Sequence, residues 1–96
     1  MLKSSEFLTL TQKREGNMKI YDFGGSKNIC GNRVKEARKK LKLSQENLAA
    51  KLQIEGVNIE RDSISRIEIG TRFVADYELL ALSKILTVSL DYLLGD

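Results

Sequence analysis

Ninety-six residues, 42% hydrophobic and 30% charged with a net charge of +3, make one small domain with a single modest core and no room for a second, ligand-sensing domain. Histidine and proline are absent and Cys30 is the one cysteine, which excludes an internal disulfide, a Cys/His zinc site and a histidine-based nucleophile pair; no cofactor or metal is expected. No apolar run approaches the about 18 residues of a membrane span, and the N-terminus lacks a signal-peptide pattern, so a cytoplasmic protein with no membrane partner is expected.

Residues 1–28, MLKSSEFLTLTQKREGNMKIYDFGGSKN, show little sustained periodicity and read as a loosely attached, flexible extension, with Gly24-Gly25 marking a turn. Arg14-Glu15-Gly16 can be encoded by a purine-rich ribosome-binding sequence, so a natural start at Met18 is expected. Gly24-Gly25-Ser26-Lys27 has the letters of a phosphate loop in the wrong order and spacing, and no strand feeds it.

The regular domain spans residues 29–96. Val34, Ala37, Arg38 and Leu41 share one face of a first helix ending near Leu41, and Cys30 reads as a small, half-buried apolar residue ahead of it. Ser44 stands as N-cap to a second helix that starts at Gln45 and carries Leu48, Ala49 and Leu52 inward. Arg61–Glu68 forms a third, with Ile64 and Ile67 facing in and Gly70 as its stop. Asp76 opens a fourth, whose stripe is Leu79, Leu80, Leu82, Ser83 and Leu86, and Ser89 caps a short fifth with Leu90, Leu93 and Leu94. The fold class is all-α, with a core completed by Leu43 and Val88.

Charge is unevenly spread. Residues 31–44 hold six bases (Arg33, Lys35, Arg38, Lys39, Lys40, Lys42) against Glu36, whereas residues 45–96 carry nine acids against five bases. A positive field concentrated on one helix suits a polyanion, although a Lys/Arg face also serves simply as a solvated surface. If Ile64 and Ile67 point inward, then Arg61, Asp62, Ser65 and Arg66 point outward. Arginine matches guanine O6 and N7 with two parallel donors, and a carboxylate accepts from a cytosine amino group. Nothing in the chain assembles a catalytic set, so no enzyme is expected.

The second and third helices have the arrangement of a helix-turn-helix, and NRVKEARKKLKLSQENLAAKL, SISRIEIGTR and ELLALSKILTVSLDYLL in residues 32–94 resemble the Cro/C1-type (Xre-family) domain of phage repressors and bacterial regulators. The resemblance covers about two-thirds of the chain. It implies a five-helix, lambda-repressor-like fold and a sequence-specific, double-stranded-DNA-binding transcriptional regulator, a repressor, with the third helix in the major groove. It further implies base reading by Arg61, Asp62 and Arg66, with Ser63 beside them, a phosphate or base contact from Gln45 next to Ser44, and backbone-phosphate contacts from Thr71 and Arg72. Glu68 is expected to pair with Arg38 and hold it toward the DNA. A homodimer on a palindromic operator is implied, its surface around Leu90, Tyr92 and Leu94. The competing reading is a protein-interaction module or an antitoxin masking a toxin, to which the acidic C-terminal half and Phe73-Val74-Ala75 lend support.

Five departures from the family pattern matter. Lys42 and Thr87 stand at turn positions usually held by glycine, Ile69 replaces a polar phosphate contact, and Glu60 occupies an N-cap usually filled by Ser or Thr. Eleven residues separate Leu52 from Ile64, about five more than usual. The alternation Leu52, Ile54, Val57, Ile59 around Glu55-Gly56 is compatible with a tiny hairpin. The preferred expectation is that the second helix continues to Ile54, Gly56 ends it, and Val57–Ile59 runs extended, with Asn58 supplying the left-handed turn.

Overall fold

The computed structural model describes residues 23–95. Residues 1–22, and with them the expected start at Met18, lie outside the described residues. Among the described residues five helices follow one another: α1 Gly31–Lys40, α2 Gln45–Ile54, α3 Arg61–Ile69, α4 Asp76–Leu86 and α5 Leu90–Leu94. The all-α expectation holds, and the hairpin considered around Gly56 is absent.

The starts of α2, α4 and α5 have local side-chain causes. Ser44 Oγ accepts from the Asn47 N–H at 2.9 Å and Ser89 Oγ from the Tyr92 N–H at 2.9 Å, both N-caps that sequence alone indicated. Glu60 stands at the N-cap of α3 without a capping hydrogen bond. At α4 only half of a capping box exists: the Glu78 carboxylate accepts from the Ala75 N–H at 3.0 Å, but Ala75 has no side chain with which to return the bond.

The ends of α1 to α4 share one device. In each, the residue just past the helix donates three positions back and the next residue five positions back: Lys42 and Leu43 to Lys39 and Arg38, Gly56 and Val57 to Gln53 and Leu52, Gly70 and Thr71 to Ile67 and Arg66, Thr87 and Val88 to Lys84 and Ser83. This is the Schellman stop, which needs a left-handed residue at its corner. The four corners have φ of 58° at Lys42, 88° at Gly56, 85° at Gly70 and 55° at Thr87. Glycine adopts that geometry freely; another L-residue gives up about 1–2 kcal/mol.

That device settles the long α2–α3 connector. Gly56, not Asn58, is the left-handed residue, because the stop must directly follow the last helical turn and α2 runs to Ile54. Val57 then turns back onto α2, and Ile59 follows it inward, so both side chains are buried. Gln53 Nε2 donates to the Ile59 carbonyl at 2.8 Å and ties the connector to α2.

The core is Val34 and Ala37 of α1, Leu48, Ala49 and Leu52 of α2, Ile64 and Ile67 of α3, Ala81, Leu82 and Leu86 of α4, and Leu93, closed by Cys30, Val57 and Ile59. Burying each large side chain contributes on the order of 1.5–3 kcal/mol before entropy. Several expectations need correcting. Cys30 is fully rather than half buried, and burial pushes its thiol pKa up, with its backbone hydrogen bond acting in the opposite sense. Leu41 is exposed past the end of α1. On α4 the inward stripe runs through Glu78, Ala81, Leu82 and Leu86, which turns Leu80 to solvent. Leu43, Leu79 and Val88 are half-buried at the rim.

Residues 23–28 are not loose. Phe23 and Ser26 exchange backbone hydrogen bonds across Gly24-Gly25, both at positive φ, as a two-residue type I′ reversal requires. The Lys27 N–H then donates to the Gly70 carbonyl at 2.8 Å, and Asn28 Nδ2 donates to the carbonyls of Ile67 at 3.0 Å and Arg72 at 2.8 Å. Asn28 Oδ1 accepts from the Gly31 N–H, so one side chain joins the start of α1 to the end of α3. Gly31 allows the approach: a Cβ there would stand 2.3 Å from the Ile67 carbonyl oxygen.

Candidate nucleic-acid interface

α3 rests on α1 and α2 through buried Ile64 and Ile67, which turns Arg61, Asp62 and Arg66 fully outward and leaves Ser63 and Ser65 at the margin. Arg61, Asp62, Ser65 and Arg66 together line one open depression, the outward set expected from spacing. Arg61 Nη2 and Asp62 Oδ1 pair at 2.8 Å, with 55% and 76% of their side chains exposed. In high dielectric such a pair opens at little cost, so both groups are available to a ligand.

Behind this face lies a polar network. Arg38 Nε and Nη2 donate to the two oxygens of Glu68 at 2.6 and 3.0 Å, Arg38 Nη1 to the Leu43 carbonyl at 2.8 Å, and Gln45 Nε2 to Glu68 Oε1 at 3.1 Å. One carboxylate thus joins α1, the first residue of α2, and α3. The expected Arg38–Glu68 pair is present, but it draws Arg38 inward: its side chain is 10% exposed and every nitrogen has an intramolecular acceptor. Arg38 thus acts as a strut under the two helices. Gln45 stays half-buried at the start of α2, beside the backbone N–H groups of that helix.

The order of helices, the packing of α3 on α2 and the polar outer face of α3 are those of a helix-turn-helix, and residues 34–93 match the helix-turn-helix family. The chain belongs to the Cro/C1-type helix-turn-helix family. It is 45% identical over 62 residues to the uncharacterized HTH-type transcriptional regulator YqaE of Bacillus subtilis (strain 168), a match covering 64% of this chain and 48% of that protein. The chain thus matches about half the length of this curated relative. Among solved structures it is similar to the P22 c2 repressor in complex with a synthetic operator, at 37% identity and a TM-score of 0.61 over 72% of this chain and 98% of that one. It is also similar to the restriction-modification controller protein C.AhdI of Aeromonas hydrophila, at 30% identity and a TM-score of 0.57 over 66% and 84% of the two chains. The family is one of transcriptional regulators rather than enzymes.

Past Gly70, Thr71 stays outside while Arg72 and Tyr92 are engaged within the domain. Thr71 is exposed, its Oγ1 within 3.4 Å of the Arg66 carbonyl. Arg72 is held by Glu78 through two hydrogen bonds, at 2.9 and 3.1 Å, and by the Phe73 carbonyl at 2.8 Å, so its guanidinium braces the α3–α4 link. The Glu78 hydrogen bond raises the Arg72 pKa. Burial pushes the Glu78 carboxyl up, but the Arg72 guanidinium and the Ala75 N–H outweigh it and leave the group below its ordinary value of 4.5. Tyr92, expected on a dimer surface, packs back on α1: its hydroxyl donates to Glu36 at 3.1 Å, its carbonyl accepts from Arg33 at 2.9 Å, and the Arg33 guanidinium lies 4.9 Å from its ring centre. Ile69 is 69% exposed at the end of α3.

The residues that sequence reasoning missed are the supports. Asn28 three places before Gly31 carries a faint cap-like signal for the start of α1; the reach of its amide to Ile67 and Arg72 has none. Burial of Val57 goes with the Schellman geometry of Gly56, whereas the left-handed turn was expected at Asn58.

Proposed function

We propose that this chain is a sequence-specific, double-stranded-DNA-binding transcriptional regulator, a repressor that lays α3 in the major groove. The observation that carries the reading is the outer face of α3: Arg61, Asp62, Ser65 and Arg66 surround one open depression while the inner face is locked by Ile64, Ile67 and the Glu68 network. Arg61 and Arg66 read guanine edges and Asp62 a cytosine amino group, with Ser63 at the margin. Ser44, Gln45 and Thr71, together with the N–H groups of α2, face phosphates. Arg38 and Arg72 serve by bracing these elements.

A domain of this size grips one half-site, so a homodimer on a palindromic operator, with half-sites about 34–36 Å apart, belongs to the same reading. Leu90 and Leu94, 40% and 41% exposed on α5, are the apolar groups it would cover. The protein works in the cytoplasm, where its DNA is; among the described residues no helix is long and apolar enough to cross a membrane. A protein partner such as a toxin is the second reading, favoured by an apolar groove bordered by Ile29, Phe73, Val74, Leu79 and Leu94.

Selection from random duplexes followed by gel shift tests the proposal. The wild type should enrich one palindromic sequence, and Arg66→Ala should cost about 1–3 kcal/mol of affinity and relax preference at one position of each half-site. Sequence-independent binding, or none, overturns it.

A further inference from the structure

Of the four Schellman corners, two are glycine and two are not, and the two exceptions differ in what their side chains do. Thr87 turns its hydroxyl onto the Leu86 carbonyl at 2.6 Å, a local hydrogen bond that goes with its left-handed backbone. Lys42, at φ 58°, is exposed, and its ammonium has no hydrogen bond or ion pair with any described residue. The Schellman stop accounts for the left-handed backbone, but no contact among the described residues accounts for a lysine rather than a glycine at its corner, and that points to a role for the side chain outside the protein.

The surroundings of Lys42 indicate which role. It follows the last turn of α1, where Arg38, Lys39 and Lys40 stand, and precedes the Ser44 cap and Gln45. The turn is rigid: the Lys42 and Leu43 N–H groups close the Schellman stop, and the Leu43 carbonyl is gripped by Arg38, itself fixed by Glu68. The backbone that carries Lys42 is therefore fastened to α3 through one buried carboxylate. With Arg38 drawn inward, Lys42 is the exposed cation two residues ahead of the Ser44 cap of α2, and exposed Lys39 and Lys40 precede it in the last turn of α1.

We infer that Lys42 is a phosphate-contacting residue, gripping the DNA backbone beside the phosphate met by the N-terminus of α2, and that its left-handed strain is retained for that charge. The inference rests on the DNA-binding reading above. It concerns affinity and not base choice, because a lysine ammonium is a point charge without the paired donors that read a base edge.

The test uses the full chain and the duplex that it selects. Lys42→Gly relieves the backbone and removes the charge; Lys42→Asn keeps a residue that tolerates the left-handed corner; Lys42→Arg keeps the charge. Expected for Lys42→Gly are a Tm unchanged or raised by about 2–6 °C, an affinity about 3- to 10-fold lower at moderate salt, and a plot of log K against log salt shallower by about one unit, with unchanged sequence preference. Lys42→Asn should show the same salt slope as Lys42→Gly, and Lys42→Arg that of the wild type. Glycine and asparagine variants that bind with the wild-type affinity and slope overturn the inference, as does a fall in Tm without a change in binding, which would assign Lys42 to the dipole of α1 alone. A wild type that selects no duplex overturns the regulator reading itself, so the two failures are distinguishable.

Discussion

Two arginine–carboxylate pairs sit at opposite ends of α3, one doubly bonded and buried, the other singly bonded and exposed. Arg38 and Glu68 meet at 2.6 Å with 10% and 2% of their side chains exposed; Arg61 and Asp62 meet at 2.8 Å with 55% and 76% exposed. The buried pair cannot exchange partners, since removing either charge strands the other in low dielectric. The exposed pair trades freely with water. The same chemistry thus makes the C-terminal half of α3 an anchor and its N-terminal half a surface that a ligand can enter.

The largest break in that comparison is Glu68→Ala, which leaves the Arg38 guanidinium buried without its counter-charge and should cost about 3–5 kcal/mol in urea unfolding. Adding Arg38→Met should recover most of the loss, because an apolar pair of similar volume needs no compensation. A double variant no more stable than the single would show that Glu68 acts chiefly through Gln45.

Arg72–Glu78, with 28% and 7% of the side chains exposed, lies between the extremes. The Glu78 carboxyl titrates below its ordinary value of 4.5, so at acid pH the unfolded chain binds more protons than the folded one. Its stabilisation is complete above the unfolded value and is lost as pH falls through the folded value. Glu78→Gln should therefore lower Tm near neutral pH, flatten the acid fall in Tm, and converge on the wild type in strong acid. Parallel curves would mean that the pair contributes nothing to acid sensitivity.

The smallest effect belongs to the exposed pair: Asp62→Ala should change stability by less than about 1 kcal/mol in the same unfolding experiment. A larger loss would mean that Asp62 supports the start of α3, where Glu60 forms no cap, and would narrow the distance between the two pairs.

Most helix starts and stops were legible because their causes are local: Ser44 and Ser89 cap within three residues, and Gly56 and Gly70 close turns on the helix just ended. The outward set on α3 was legible for a related reason, since Ile64 and Ile67 at three-residue spacing leave Arg61, Asp62 and Arg66 on the other side. The supports were not. Asn28 bonds Ile67 and Arg72 across 39 and 44 residues of sequence, and Gln45 reaches Glu68 across 23, distances over which periodicity carries no information.

The sequence by itself determined the five helices of the described residues, their order, and which side chains of α3 meet water, because propensity, capping and amphipathic spacing act within a few residues of where they are written. Only the tertiary structure decided which arginines remain free to meet a ligand. Arg38, Arg61, Arg66 and Arg72 carry the same guanidinium; packing brings Glu68 to the first and Glu78 to the last, and leaves Arg61 and Arg66 exposed. Burial and long-range partners set that division, and both arise only when the helices close on one another.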